Sequence, residues 1–331
     1  GYAINGAAAQ TQLYFNPHSS GTNNDLPGSA VQLLRNVSLP AIHAPGVGTT
    51  VVAPVGSVLN LNGFELTLTG GASTQFAGTI NGGIGALGTL GLGSLNKVGG
   101  ATFTMQSANS GNYSGKTIVR GGTLQLIDGG SLASTAGLRL AQGTLTWNNY
   151  GLNAVDSPVR LNAANAVTLA GGTFTVIGGG SVDNIVNLDL VTAELGSVQI
   201  NTNPYISMGA TNRIDIGNLV VASAGVRPMV NFNGWTTLNN GGINTLGGQG
   251  LTQNSNIRIT QLNSAPFGSA SLVNGLIGGW AVADGSTFAT YSATFGVVAM
   301  GQQYSLGAGY PAPNFTGADI NATTATGNYN D

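Results

Sequence analysis

A chain of 331 residues has room for a large core, yet only 6% of it is charged, against roughly a quarter in an ordinary soluble domain. Nine Lys plus Arg against eleven Asp plus Glu give a net charge of −2, which excludes the basic footprint of a nucleic-acid binder. With 54 Gly and 42% hydrophobic residues, neither a solvated disordered chain nor a helical bundle fits, and an all-β chain does.

In chain order, residues 1–31 read as an N-terminal edge or cap segment. Its opening, GYAINGAAAQTQLYFNP, carries no charged side chain. Tyr2, Ile4, Leu13 and Phe15 lie in β-compatible runs there and are candidate assembly contacts. His18 and His43, the only histidines, sit beside Pro17 and Pro45 and read as loop residues rather than metal ligands. From residue 32 to 300, apolar residues alternate with Thr, Asn, Ser and Gln in short runs bounded by Gly-Gly, Asn-Gly or Asp-Gly. Examples are LNLNGFELTL from Leu59 and TLTW from Thr144. Period two with Gly turns is the signature of strands. A short helix near Leu132–Leu140 is the one helical alternative. Residues 301–331 form a tail whose only charges are Asp319 and Asp331, with Phe315, Ile320 and Tyr329 as further assembly candidates. Asn36, Asn112, Asn314 and Asn321 begin N-x-S/T triplets and are candidate glycosylation acceptors.

A Gly-led strand recurs as GGATFTMQ from Gly99, GGTLQLID from Gly121, QGTLTWNN from Gln142 and GGTFTVIG from Gly171. Aligning Thr102, Thr123, Thr144 and Thr173 gives steps of 21, 21 and 29 residues, about the length of one turn of a right-handed parallel β-helix with three strands per turn. That solenoid is the predicted fold, with Phe103, Leu124, Leu145 and Phe174 stacked inside and Asn ladders at the corners. An all-β sandwich is the alternative, since alternating strands with Gly turns also suit that class.

Residues 96–132 read NKVGGATFTMQSANSGNYSGKTIVRGGTLQLIDGGSL. This stretch resembles the autotransporter-associated β-strand repeat, K-x-G-x-G-T-L-x-L-x-x-x-N-x-Y-x-G-x-T-x-V-x-x-G-T-L. Lys97, Gly99, Asn112, Tyr113, Gly115, Thr117, Val119, Gly122, Thr123 and Leu124 fall on the pattern, while Ala101 and Phe103 depart from it. The resemblance extends over about residues 50 to 300. It implies a β-helical passenger or surface protein of a Gram-negative-type bacterium, placed outside the cell or on its outer surface. The start at Gly1 reads as a processed or excised product of a longer precursor.

Other constellations weigh less. Gly83–Gly88 matches G-x-G-x-x-G, but no helical pattern follows it and no acid lies between Glu65 and Asp128, so it reads as a turn. Zero Cys excludes disulfides and thiolate metal sites. The longest uncharged stretch, between Arg258 and Asp284, is broken by Gln261, Asn263, Pro266 and Asn274, so no segment reads as a bilayer span. Asp183, Asp189 and Glu194 are the closest acids worth testing as a shared site, without a calcium-loop signature. Trp147, Trp235 and Trp280, with Tyr113, Tyr150 and Tyr291, read as core or cap residues before a sugar-stacking surface. The Thr-x-Thr strands suggest a water-ordering array, which the 29-residue step is expected to break.

The expected function is therefore structural: an extracellular protein that assembles with itself head to tail into a filament or surface layer, without catalysis or cofactor. The alternative is a carbohydrate-binding adhesin or polysaccharide-processing β-helix, whose partner would be a surface polysaccharide.

Overall fold

The computed structural model describes residues 2–4, 13–14, 30–43, 57–82, 92–106, 111–150, 160–178, 183–203, 211–223, 227–234, 236–237, 243–244, 254–293 and 295–300. The fold is all-β and dominated by parallel sheets. Among the described residues the only helical element is a 3-10 turn at Ser269–Ser271. The stretch expected to allow a helix carries the strand Gly137–Leu140 instead, because its residues complete a parallel ladder with Lys116–Val119 and Ala166–Ala170.

The strands stack into long parallel ladders, each strand pairing with one neighbour earlier in the chain and one later. The first ladder takes Tyr2–Ile4, Ala30–Leu33, Val58–Asn60, Thr79–Asn81 and Gly111–Asn112. A second runs from Val37–Leu39 through Glu65–Leu68, Ser94–Lys97, Lys116–Val119, Gly137–Leu140 and Ala166–Ala170 to Asn184–Leu195, Thr211–Val221 and Asn254–Leu262. A third takes Thr74–Phe76, Thr102–Met105, Thr123–Leu126, Thr144–Asn148, Thr173–Ile177, Ser197–Asn203, Met229–Asn233 and Ala281–Ala283. Among the described residues antiparallel pairing is confined to Thr236–Thr237 with Ile243–Asn244 and to the region beyond Asn254. An antiparallel sandwich would need the opposite pattern.

Alternation decides which side chains go in. In the third ladder Phe103, Leu124, Leu145 and Phe174 stand in register and are all buried, as the repeat predicts. Ile200, Phe232 and Ala283 continue the column. One apolar core extends without a break from Val31 to Ala299.

The residues of the 96–132 motif hold corners and interior. Buried Lys97 donates to the carbonyls of Gly99 and Gly121, joining successive strands of the stack; burial lowers its pKa. Tyr113 is buried and its hydroxyl lies 2.7 Å from Thr117 Oγ1. A Cβ at Gly115 would lie 2.0 Å from the carbonyl oxygen of Leu92, so backbone occupies the space a larger residue needs.

Candidate functional site

Two features stand out: the ends of the ladders, and a polar groove on their flank. At the N-terminal end, Tyr2–Ile4 pairs with Ala30–Leu33 on one side, and no described strand pairs with its other edge. Among the described residues Leu13–Tyr14 pairs only with Ile42–His43. The residues expected to carry assembly thus divide. Tyr2, Ile4 and Leu13 lie on these terminal strands, while Phe15, Phe315, Ile320 and Tyr329 lie outside the described residues.

The opposite end is built differently. Thr287–Ser292 runs antiparallel to Ala281–Ala283 and to Gly296–Ala299. The Tyr291 hydroxyl donates to the Ile259 carbonyl (3.0 Å) and accepts from the Ile259 amide (3.1 Å). Phe267 meets the Tyr291 ring edge-on at 5.0 Å. This folded-back hairpin covers part of the last ladder strand.

The groove lies where Asn184–Leu195, Thr211–Val221 and Asn254–Leu262 run side by side. About 410 Å³ in volume and open to solvent, it is lined by Asn187, Leu188, Asp189, Asp215, Gly217, Arg258 and Thr260. The register sets Asn187, Asp215 and Arg258 in one row across the strands. Gly217 leaves the floor open: a Cβ there would lie 2.8 Å from the Asp189 carbonyl oxygen. Asp215 Oδ2 accepts from Arg213 Nε (3.0 Å) and Nη2 (2.8 Å). Asp215 Oδ1 is buried and has no hydrogen-bond donor among the described residues. Two carboxylates, an arginine, an amide and a hydroxyl around one depression form a set suited to hydroxyl-rich ligands.

Of the three acids expected to share a face, only Asp189 reaches the groove. Asp183 is exposed before the strand begins. Glu194 pairs instead with Arg139. The alternation shifts within Asn184–Leu195, where Asn184, Val186 and Leu188 are buried, then Val191 and Ala193. All three acids therefore lie on the solvent side of the chain, spread along it. Among the described residues no group of three or more His, Cys, Asp or Glu could hold a metal. Asp215, Arg258 and Gly217 escaped the spacing argument. The signal for them is the parallel of DNIVNLDL (183–190), NRIDIG (212–217) and SNIRIT (255–260), which share one alternation.

The remaining expectations resolve individually. Asn36 and Asn112 are exposed, but Asn36 Oδ1 accepts from the Glu65 amide (2.9 Å) and Asn112 Nδ2 donates to Asn81 Oδ1 (3.1 Å). Asn314 and Asn321 lie outside the described residues, as do Trp235, His18 and the Gly83–Gly88 turn. Trp147 and Tyr113 are core residues, Trp280 and Tyr291 pack against the core, and Tyr150 is exposed, so these aromatics do not form one sugar platform.

Interior polar residues form a second arrangement. Arg160 is fully buried and donates from Nε to Asn149 Oδ1 (2.8 Å), from Nη1 to the Gly130 carbonyl (2.7 Å) and from Nη2 to the Asn148 carbonyl (2.8 Å). Burial lowers its pKa to about 10, against a smaller opposing pull from Asp128. Asn149 Nδ2 donates to Asn184 Oδ1 (2.7 Å), Asn184 Nδ2 to Asn212 Oδ1 (2.6 Å), and Asn212 Nδ2 to the Val176 carbonyl (3.0 Å). This is the expected Asn ladder, placed in the interior. No family model, curated protein or solved structure matches the chain.

Proposed function

We propose that the chain winds as a right-handed parallel β-helix and serves as an extracellular structural protein that assembles end to end, without catalysis. The three-ladder stacking supports the winding, since parallel strands joined by crossovers are right-handed in nearly every known case. The motif at residues 96–132, with its likeness to the autotransporter-associated repeat, supports a secreted or surface setting. The observation that carries the assembly is the strand Tyr2–Ile4, which among the described residues is paired on one edge only. An open parallel edge invites another strand. The opposite end is folded over, so the two ends differ, and a contact between unlike ends is heterologous and propagates unless its rotation closes a ring. The strand that completes the open edge comes from residues 301–331 of the next subunit.

Deleting residues 301–331 tests this. The truncated chain is expected to keep its β-rich circular dichroism spectrum and to lose assembly in sedimentation velocity. Polymerisation equal to that of the full chain would refute the tail-donation step.

The groove favours a second reading, a carbohydrate-binding adhesin. Asn187, Asp189, Asp215, Arg258 and Thr260 line one open depression, and such a set of donors and acceptors matches sugar hydroxyls. Retention of the full chain on insoluble polysaccharide, lost in Asp215→Asn, would support it. Equal retention of both proteins would count against it.

A further inference from the structure

The outer surface of the third ladder carries a grid of threonines. Thr102, Thr123, Thr144 and Thr173 stand in one register row, and Thr104, Gln125, Thr146 and Thr175 in the next. The step from Thr144 to Thr173, longer than the two before it, leaves both rows in register, because its additional residues fall outside the paired strands. The expectation that this step breaks the array is therefore corrected. All eight side chains are half-exposed, and the residues between them, Phe103, Leu124, Leu145 and Phe174, face the core.

Three properties of this face point to one occupant. First, it is uncharged: no Asp, Glu, Lys or Arg lies within these four strands. Second, the hydroxyls of Thr102, Thr123, Thr144, Thr146 and Thr173 have no hydrogen-bond partner among the described residues, whereas Thr104 donates to Gln125 Oε1 (3.2 Å) and Thr175 accepts from Asn201 Nδ2 (3.1 Å). Third, the backbone fixes the spacing. Adjacent strands lie about 4.8 Å apart and residues two apart along a strand lie roughly 6.6 Å apart. β-branching restricts χ1, so neighbouring threonines hold hydroxyl and methyl groups in a restricted set of directions. Free hydroxyls repeated in two dimensions on a rigid uncharged sheet form a template for ordered water.

We infer that this face binds ice, the threonine hydroxyls joining a layer of ordered water continuous with the crystal surface. The inference is independent of end-to-end assembly and of the groove.

The test measures thermal hysteresis and inhibition of ice recrystallisation by the full chain. Thr144→Lys places a long charged side chain in the middle of the grid. Thr144→Val keeps the branched shape and removes one hydroxyl. Thr168→Lys, on the second ladder, serves as control. Melting curves establish that each variant is folded. The full chain and Thr168→Lys are expected to halt recrystallisation, Thr144→Lys to lose that activity and Thr144→Val to lose part of it. A full chain no more active than an equal mass of serum albumin would overturn the inference, as would a folded Thr144→Lys as active as the unmodified chain.

Discussion

Tyr113 shows how a motif residue earns its place through hydrogen bonding rather than chemistry. Thr135 Oγ1 donates to the Gly115 carbonyl (2.7 Å), so it accepts from Thr117 (3.0 Å), and Thr117 in turn accepts from the Tyr113 hydroxyl. Tyr113 must therefore carry its proton, and burial raises its pKa well above 10. In the unfolded chain the phenol ionises near pH 10. Above that pH the unfolded state binds fewer protons than the folded state, so stability falls as pH rises. The contribution is full below pH 10 and is lost from there toward the folded-state value, at about 1.4 kcal/mol per pH unit at most. Urea denaturation between pH 8 and 11 should show this fall in the unmodified chain. Tyr113→Phe, about 1 kcal/mol less stable at neutral pH through the lost hydrogen bond, should show a shallower one. Equal alkaline slopes would mean that Tyr113 ionises freely when folded.

At the scale of elements, parallel pairing is relieved of side-chain ambiguity by repeats and broken wherever the repeats stop. The strands at Thr102, Thr123, Thr144 and Thr173 were legible because each carries the same Gly-led alternation, and their register follows from it. The parity change within Asn184–Leu195 was not legible. Asp183, Asp189 and Glu194 are near in sequence and all on the solvent side, but Asp189 lines the groove whereas Glu194 meets Arg139, and neighbouring strands decide that. The groove stayed hidden for the same reason: Asp189, Asp215 and Arg258 meet only once three strands distant in sequence are aligned. The Asn ladder was expected in kind but misplaced, since polar Asn reads as a corner residue until its partners are known. In the interior, Asn184 both accepts from Asn149 and donates to Asn212. Asn184→Ala removes both of these interior hydrogen bonds, and the expected loss is about 2–4 kcal/mol in chemical denaturation. A loss below about 0.5 kcal/mol, the range of ordinary surface substitutions, would mean that the ladder contributes little.

At the scale of the whole molecule, backbone ladders and one continuous apolar core hold the fold, because the charges available for ion pairing are few. The two described salt bridges, Arg139–Glu194 and Arg213–Asp215, are partly exposed, and such pairs contribute at most about 1 kcal/mol each. A stack of this kind gains stability with every added rung and needs something at each end. Here Thr287–Ser292 folds back on the last strands, and Tyr2–Ile4 has, among the described residues, a partner on one edge only. The central claim is that this edge is completed by another copy. Cryo-electron microscopy of the full chain in neutral buffer tests it most directly. The account predicts unbranched fibres one molecule wide, with strands perpendicular to the fibre axis and rungs about 4.8 Å apart continuing through each junction. A field of separate single molecules, or rods joined only side by side, would contradict it.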